Sequence, residues 1–438
     1  MRIVQLTAGT GSYHCGTCIR DNALVTELRR QGHDALLVPM YLPLTLDQPA
    51  ATAETPLFYG GINVYLQQKL PFFRNSPRWL DRLFDAPRLL RAAGSRAGMT
   101  SPRELGELTL SMLRGEEGAQ TKELERLVDW LVTDIKPDVV CLSNVLLIGL
   151  ARRIREATGA AVACMLQGED TFLDSLPEPE RTRSWQEVSK RSADVDALLA
   201  VSQYYGDLMR ERAHLPADKL HVVHAAVSLN GYEPAAVPPD PPVLGYLARM
   251  CHTKGLSTLV DAFIQIRANG RIPNLRLHVA GSQTAGDERY VAGLQKRLAE
   301  KGLAEAVQFF PNVERDEKIR ILQGFSVMSV PATYGESFGL YVIEAMAAGV
   351  PVVQPRHAAF PELIEATGGG VLCEPDNVRA LAAAIEALLL DPARARALGH
   401  AGRRVALERF GIEQIAADTM SVFERISARR TSTPSLVG

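Results

Sequence analysis

Length, composition and charge describe an ordinary globular protein with more than one domain. The chain has 438 residues, of which 46% are hydrophobic and 22% charged, and a net charge of −2 follows from 48 basic and 50 acidic residues. This length suggests two or three domains, each with its own core. The near-neutral charge argues against nucleic acid as a partner, and six cysteines in such a chain do not indicate a disulfide scaffold.

From its sequence we expect neither a secretion signal nor a membrane-spanning helix. Its first residues, MRIVQLTAGTG, enter an apolar run directly, without a charged leader region or a cleavage site. No uninterrupted apolar run of about 18 residues follows. We therefore expect a cytoplasmic protein.

In the N-terminal half, strands and helices alternate along the chain. An apolar strand at 3–6 leads through a glycine-containing loop into a helical pattern at 19–30 and a strand at 35–40. The alternation continues with helices at 121–135, 146–158 and 203–213 and strands at 138–142, 160–166, 196–201 and 220–223. Such alternation predicts a parallel sheet covered by helices.

A proline-rich segment separates this half from a second alternating series. Five prolines lie between 234 and 242, which is typical of a linker. The series beyond it predicts strands at 243–248, 275–280, 306–310, 326–330 and 351–354 and helices at 256–268, 288–300, 314–323, 340–348, 377–389, 393–409 and 412–427. The pattern predicts two doubly wound halves, which bind ligands beyond the carboxyl ends of their strands.

The segment PATYGESFGLYVIEAMAAGVPVV, residues 331–353, combines a glycine-containing turn with a helix start. Gly335 and Gly339 permit close approach of a ligand, and the free N–H groups of the helix that follows suit a phosphate. Glu336 and Glu344 can then accept hydrogen bonds from sugar and ribose hydroxyls. The alternative is that both acids only favour a helix N-terminus.

Two cations follow the first strand of the second half, in GYLARMCHTKGLSTLVDAF. Arg249 and Lys254 stand in the turn after this strand, at the same sheet edge as Glu336. They can hold a diphosphate, Arg249 as a fork and Lys254 as a point charge. The alternative is that both are solvated surface charges.

The Arg-x4-Lys and Glu-x7-Glu pairs, in LARMCHTKG and GESFGLYVIEAMAAGVPVV, give the chain a family resemblance. It resembles the retaining, nucleotide-sugar-dependent glycosyltransferases of family 4, also called group 1, which have the GT-B fold of two facing Rossmann-like domains. The stretch TELRRQGHDALLV is similar to part of the N-terminal domain of that family. The C-terminal half matches well to about residue 410, and the N-terminal half matches in outline.

The resemblance implies a domain plan. Residues 1–230 would form the acceptor domain with a basic insertion at 69–115, 231–242 the linker, 243–410 the donor domain, and 411–438 a C-terminal helix and tail. A C-terminal helix that crosses back to the N-terminal domain is compatible with this fold.

The resemblance also implies roles for individual residues. Arg249 and Lys254 would bind the diphosphate, Glu336 would contact the donor sugar, and Glu344 would hold the ribose. The backbone around Phe338, Gly339 and Leu340 would assist, and the Gly16 loop would approach the phosphates. Family members generally need no metal ion and no cofactor, because these cations and the helix terminus neutralise the leaving group.

Three stretches depart from the family pattern. Cys15 precedes Gly16 where many members have a second glycine, and Gln167 stands where many have a histidine. Glu169 and Asp170 follow Gln167 and are candidates for holding acceptor hydroxyls. The sequence VVHAAVSLNGY replaces a common Asn-Gly-Val-Asp motif. These departures leave the donor and the acceptor open.

Two other constellations point to different chemistry. The glycines of GTGSYHCG do not have the spacing of a dinucleotide fingerprint, and no acid ends the second strand, which argues against hydride transfer. Cys15 and Cys18, with His14, Cys251 and His252, could form a metal or redox site. No second Cys-x2-Cys pair supports it, so packing in loops is the default interpretation.

Residues 69–103 form a basic segment with interleaved large apolar residues. Eight Lys and Arg stand against two Asp, a net charge of +6. Such a segment can lie on an anionic membrane, which would place the protein at the inner membrane face. A helical lid packed on its own domain is the interpretation that we favour.

The sequence therefore predicts a glycosyltransferase that moves a sugar from a nucleoside-diphosphate donor to a hydroxyl acceptor with retention of configuration. Two alternatives remain: a nucleotide-sugar epimerase and a non-catalytic nucleotide-sugar-binding protein.

Overall fold

A computed structural model describes residues 1–9, 16–42, 44, 46, 49–52, 55–56, 58–59, 102–225 and 227–431. Two compact units divide the chain. The first contains Met1–Val227 together with Ile412–Gly438, and the second contains Ser228–Gly411.

The first unit is built on a parallel sheet of six strands in the order β2-β1-β3-β4-β5-β6. Its strands are β1 Arg2–Thr7, β2 Asp34–Pro39, β3 Val139–Leu142, β4 Ala161–Leu166, β5 Ala197–Ala200 and β6 Leu220–Val222. Its helices are α1 Gly16–Arg30, α2 Pro102–Arg114, α3 Thr121–Trp130, α4 Ala151–Thr158, α5 Asp170–Ser175, α6 Glu180–Arg191 and α7 Gln203–Ala213. The central strands are buried along their whole length, as expected for a sheet covered on both faces.

The second unit repeats this plan with the order β12-β11-β10-β7-β8-β9. Its strands are β7 Val243–Leu247, β8 Arg276–Gly281, β9 Val307–Pro311, β10 Val327–Met328, β11 Val352–Pro355 and β12 Gly370–Cys373. Its helices are α8 Leu256–Asn269, α9 Glu288–Glu300, α10 Arg315–Gln323, α11 Leu340–Ala347, α12 Phe360–Thr367, α13 Val378–Leu389 and α14 Pro392–Arg409.

The last helix returns to the N-terminal unit. Helix α15, Ile412–Thr431, contributes its buried face, including Ile415 and Phe423, to the core formed by α1 and strands β1 to β5. Near its end, Arg430 Nη1 donates to the carbonyl of Ala160 at 2.5 Å. The prediction of a C-terminal helix that crosses back to the N-terminal domain is confirmed.

Some elements differ from the sequence-based prediction. Strand β10 has two residues, not the five predicted at 326–330. Beyond it, the N–H of Val330 bonds to the side-chain Oε1 of Gln354 at 3.3 Å rather than to a neighbouring strand. The predicted helix at 146–158 begins as a 3₁₀ helix, Val145–Leu150, and that at 121–135 ends in a π turn, Leu131–Ile135. Helices α2, α5, α6 and α12 and strand β12 were not predicted.

The part of the basic insertion that the structure describes is helix α2. It packs on α6 and on the 3₁₀ helix Val145–Leu150 of its own unit. Residues 69–101 lie outside the described residues, so both the lid and the membrane interpretation of this segment stay predictions. Within the described ranges, no helix combines the length and the apolar character needed to span a membrane.

The strand order of each sheet fixes where a ligand site can form. In the second unit, the chain steps outward from β7 through β8 and β9 and then returns to place β10 on the other side of β7. The carboxyl ends of β7 and β10 therefore flank a topological switch point, where doubly wound sheets bind ligands. In the first unit, the corresponding point lies between β1 and β3.

Candidate functional site

The loops after β7 and β10 are joined at the switch point of the second unit. The N–H of Thr333 donates to the carbonyl of Thr253 at 2.9 Å. Gly255 has φ +72°, and a Cβ there would lie 1.8 Å from the carbonyl oxygen of Pro331. Only glycine fits this close approach. The turn that carries Lys254 is thus held against the loop that carries Glu336.

Lys254 and Glu336 form the centre of a partly buried cluster. Lys254 Nζ lies 2.5 Å from Glu336 Oε2, and the same oxygen accepts from the hydroxyls of Tyr334 at 3.0 Å and Tyr341 at 2.8 Å. The ammonium group lies 4.9 Å and 5.3 Å from the centres of the two tyrosine rings and also contacts the Tyr334 hydroxyl. Burial raises the pKa of both tyrosines, with Glu336 adding to the shift, so both hydroxyls remain hydrogen-bond donors.

Arg249 is paired with a different acid. Its Nε lies 3.0 Å and its Nη2 3.2 Å from the two carboxylate oxygens of Asp287, and Nη2 also lies 3.3 Å from Thr284 Oγ1. Burial acts to raise the pKa of Asp287, but hydrogen bonds from Arg249 and Thr284 outweigh it and lower the pKa below its ordinary value. Asp287 therefore stays ionised and fixes one edge of the guanidinium.

Glu344 has its own cation and tyrosine. Its Oε1 accepts from the hydroxyl of Tyr232 at 2.6 Å and from Lys318 Nζ at 2.7 Å. Tyr232 is buried although it lies in the segment predicted as a linker, and the Arg315 guanidinium stands 5.5 Å from its ring centre. Glu344 itself is 7% exposed.

Each of the two glutamates leaves one oxygen available. Glu336 Oε1 makes no hydrogen bond to the described part of the chain, because its partners there all use Oε2. Similarly, all described partners of Glu344 bond to Oε1, which leaves Oε2 without one among these residues. Neither available oxygen is fully enclosed by protein. Both carboxylates can therefore accept hydrogen bonds from a ligand while a lysine balances their charge.

The predicted backbone site lies between these two acids. Gly339 has φ +94° at the N-terminus of α11, and Leu340 is the first residue of that helix. Phe338 is buried, with its ring centre 6.0 Å from that of Phe410, which anchors the turn. The first N–H groups of a helix lack partners within it, and their partial positive charge favours an anion.

Two of the candidates in the first unit organise the loop after β4. Glu169 Oε1 accepts from the N–H of Val145 at 3.1 Å, and Oε2 accepts from the N–H groups of Gln167 and Gly168 and from the Tyr205 hydroxyl at 2.7, 2.9 and 3.0 Å. Gln167 contacts the carbonyl of Ser143 and, at 3.4 Å, the Thr17 hydroxyl. The two oxygens of Glu169 carry four hydrogen bonds, which hold this loop in place, and its predicted role in acceptor binding stays a prediction.

Asp170 is the candidate that keeps an available group. It is 8% exposed, and its Oδ1 is buried without a hydrogen-bond partner among the described residues. Burial raises the pKa of Asp170, against the opposing effect of the Tyr205 hydroxyl and the N–H of Thr171. A buried carboxylate oxygen without a donor is costly, and because Oδ1 is enclosed by protein, a ligand reaches this carboxylate at its other oxygen, Oδ2.

The glycine loop and the cysteines can be placed only in part. Gly16 is the exposed first residue of α1, and the loop before it, with His14 and Cys15, lies outside the described residues. Cys18 is buried, with its sulfur 3.9 Å from Thr7 Oγ1. Within the described ranges, no three His, Cys, Asp or Glu side chains form a potential metal site.

The structure thus brings Lys254 and Glu336 into direct contact, while Arg249 and Glu344 each form a separate ion pair in the same unit. The sequence did not predict the partners of these residues: Tyr334, Tyr341, Asp287, Lys318 and Tyr232. Tyr334 and Tyr341 stand within the motif itself, so their spacing around Glu336 was a usable signal. No sequence signal indicated the other three partners, because Asp287, Lys318 and Tyr232 lie outside both motifs.

Comparison with known proteins identifies the family. Residues 233–405 match the family model of group 1 glycosyl transferases. The chain is 31% identical over 256 residues to the MMP alpha-(1->4)-mannosyltransferase of Mycolicibacterium hassiacum, a match that covers 58% of this chain and 60% of that protein. It is 30% identical over 269 residues to the alpha-maltose-1-phosphate synthase of Mycolicibacterium smegmatis, covering 56% and 67% respectively.

A solved structure shares the fold over nearly the whole length of both chains. A sucrose-phosphate synthase from Thermosynechococcus elongatus superposes with a TM-score of 0.72 over 98% of this chain and 100% of that one, at 19% identity. The predicted GT-B class, with two Rossmann-like domains, is confirmed. The matched region nevertheless spans only about three fifths of the mannosyltransferase. On the family match and these relatives, the chain belongs to the group 1 glycosyl transferases.

Proposed function

We propose that this protein transfers a glycosyl group from a nucleoside-diphosphate sugar to a hydroxyl acceptor, with retention of configuration. The observation that carries the proposal is the contact between Lys254 and Glu336 at the switch point of the second sheet. A cation for the leaving group and a carboxylate for sugar hydroxyls lie side by side there, next to a helix N-terminus. Membership of the group 1 family supports the same reaction. Retention rests on the family resemblance.

The cations of the second unit would act on the leaving group. During transfer, the bond between the anomeric carbon and the diphosphate oxygen breaks, and its electron pair leaves with the diphosphate. Lys254, Arg249 and the N–H groups that begin α11 would stabilise this developing charge. Preorganised groups of this kind usually contribute more to catalysis than any other single effect.

The two glutamates would orient the donor. Glu336 Oε1 would accept from hydroxyls of the transferred sugar, and Glu344 Oε2 from hydroxyls of the ribose. Their other oxygens are already bound to lysine and tyrosine groups, so the available oxygens point from fixed side chains. Fixed geometry of this kind lowers the entropic cost of binding.

The acceptor would meet Asp170. An acceptor hydroxyl would donate to Oδ2 of Asp170, the carboxylate oxygen that is not enclosed by protein. The acceptor oxygen forms the new bond to the anomeric carbon, and its proton passes to the departing diphosphate oxygen, which has received the electron pair of the broken bond. Because four hydrogen bonds already engage Glu169, we assign the proposed acceptor role to Asp170.

A nucleotide-sugar panel tests the reaction. The protein is incubated with uridine, guanosine and adenosine diphosphate sugars, with and without acceptor extracts, and free nucleotide and sugar isomers are measured. Nucleotide release that depends on an acceptor supports transfer. A changed sugar isomer without an acceptor would indicate epimerisation, and binding without turnover would indicate a non-catalytic protein; either result contradicts the proposal.

A further inference from the structure

Three helices of the first unit line an open groove that does not include the residues considered above. Helices α5, α6 and α7 line a space of about 630 Å³, with Asp174, Thr182, Trp185, Gln186 and Arg212 among its walls. This volume is within the roughly 300–1,000 Å³ of small-molecule sites. We propose that this groove, the α5–α7 groove, binds a neutral oligosaccharide.

Asp174 holds the aromatic and basic walls of the groove in place. Its Oδ1 accepts from Trp185 Nε1 at 3.1 Å, and its Oδ2 pairs with Arg212. The Arg212 guanidinium also stands 5.7 Å from the centre of the indole ring. One carboxylate thus fixes an indole and a guanidinium from two different helices, so the groove is preorganised before a ligand arrives.

The charges that surround the groove are balanced, and this balance favours a neutral ligand over an anionic one. Arg212 is paired with Asp174, and Arg181 lies 2.8 Å from Glu178. Lys190 lies 3.3 Å from Glu117 and 3.8 Å from Glu187. Glu117 and Glu187 are shared with Arg114, Arg152 and Arg191, which also pair with Glu116 and Asp194. With these included, six Lys and Arg stand against six carboxylates, so no surplus positive charge remains among these described residues to attract a polyanion. An uncharged polar ligand suits this wall better than a phosphate or sulfate.

The types of side chain in the groove match the two surfaces of a sugar ring. The C–H face of a pyranose packs well on an aromatic ring such as the indole of Trp185. Sugar hydroxyls both donate and accept, so they pair with a carboxylate, a guanidinium, an amide and hydroxyls. Asp174, Arg212, Gln186 and Thr182 provide all four kinds of group. Gln186 and Thr182 are exposed and accessible to a ligand.

The position of the groove relates it to the acceptor. Helix α5 begins at Asp170, and Asp174 follows one turn later on the same helix face. An acceptor hydroxyl at Asp170 would therefore place the next sugars of the chain towards the groove. This assignment to the acceptor rests on the proposed function, whereas binding of an oligosaccharide to the groove does not.

A binding experiment on the full chain tests the inference. Maltotriose, mannotriose and cellotriose are titrated by calorimetry and by saturation-transfer NMR, and a sulfated trisaccharide serves as the anionic comparison. Trp185→Ala removes the aromatic wall, and Gln186→Trp fills the groove while leaving the three interlocked side chains intact. Arg183→Ala is the matched control, because Arg183 is an exposed residue of α6 outside the groove.

We expect at least one neutral trisaccharide to bind with a dissociation constant on the order of 1 mM. Both groove variants should weaken it at least tenfold, and Arg183→Ala should not change it. Saturation by none of the neutral sugars, equal binding in all variants, or preference for the sulfated sugar would overturn the inference. Nucleoside diphosphate binding, measured in the same samples, reports on the second unit separately, so the groove and the proposed function can fail independently.

Discussion

The Nζ atom of Lys254 lies 2.5 Å from Oε2 of Glu336, although 82 positions separate them in the chain. The contact exists because β7 and β10 are neighbours in the sheet and the loops after them meet at one edge. A cation and a carboxylate that the sequence could only assign to the same edge are therefore direct partners. The ammonium group has its charge balanced in the free protein, and in the proposed function it would contact the diphosphate of the donor.

Replacing a cation of the donor site should lower turnover sharply. We expect Lys254→Ala or Arg249→Ala to reduce kcat about 100-fold or more, because each variant loses a group that stabilises the leaving diphosphate. Steady-state kinetics with the active donor gives the measurement. Lys301→Ala, at an exposed lysine beyond α9, is the control and should leave kcat unchanged. Normal turnover in both site variants would remove these residues from the mechanism.

The hydroxyl and the aromatic ring of Tyr341 should each contribute to kcat/KM. Tyr341→Phe removes the 2.8 Å hydrogen bond to Glu336 but keeps an aromatic ring near the Lys254 ammonium. A hydrogen bond to a charged group contributes about 1.5–3 kcal/mol, so we expect kcat/KM to fall roughly 10- to 100-fold. Tyr341→Leu also removes the ring and should be weaker still. Equal values for the wild type and the Phe variant would show that the hydroxyl does not position Glu336.

The Arg249–Asp287 pair should make a small contribution to stability that depends on pH. The pKa of Asp287 is lowered in the folded protein, so its contribution is present above the unfolded pKa, near 3.8, and is lost as pH falls through the folded value. Because Arg249 is about half exposed, we expect Asp287→Asn to cost less than about 1 kcal/mol at pH 7. The difference in thermal midpoint should shrink below about pH 4. A difference that grows in acid would contradict this assignment.

The contribution of Asp170 to stability should depend on pH in the opposite direction. Burial raises its pKa, so its favourable contribution is present below the unfolded pKa, near 3.8, and is lost as pH rises through the folded value. We expect Asp170→Asn to stabilise the protein by about 1 kcal/mol at pH 7 and to lose this advantage in acid. The same variant should raise the KM for the acceptor while leaving donor binding unchanged. Thermal unfolding across pH and acceptor kinetics give both readouts; a destabilised variant with normal acceptor kinetics would contradict the role.

Removal of metal ions should not stop transfer. In the proposed mechanism, two cationic side chains and a helix N-terminus neutralise the leaving diphosphate. We therefore expect turnover to persist in excess EDTA. A loss of activity that Mg²⁺ or Mn²⁺ restores would show that these groups are insufficient.

The sequence predicted most of the second unit because its helices and strands have strong, regular apolar patterns. Helix α9, for example, has the predicted bounds 288–300. Helix α6, ERTRSWQEVSKR, was not predicted because its sequence is largely polar and lacks a clear apolar pattern. In the structure, packing on α2 and α5 stabilises it. The local pattern of apolar residues carries no information about such packing between helices.

The site residues illustrate the same limit. The motif spacing identified Lys254 and Glu336 because both follow strands at one sheet edge. It could not distinguish Glu169 from Asp170, which are adjacent in sequence. One carboxylate receives four hydrogen bonds and the other keeps a buried oxygen without a partner among the described residues. The backbone around Gln167 and Tyr205 decides which of the two carboxylates bonds to the loop. This geometry cannot be read from the sequence alone.

Titration calorimetry with uridine, guanosine and adenosine diphosphates tests the donor site most directly. We predict that at least one of them binds the wild type and that Lys254→Ala weakens this binding tenfold or more. The Lys301→Ala control should bind as the wild type does. Equal affinity in Lys254→Ala and the wild type, for every nucleotide that binds, would contradict the donor site.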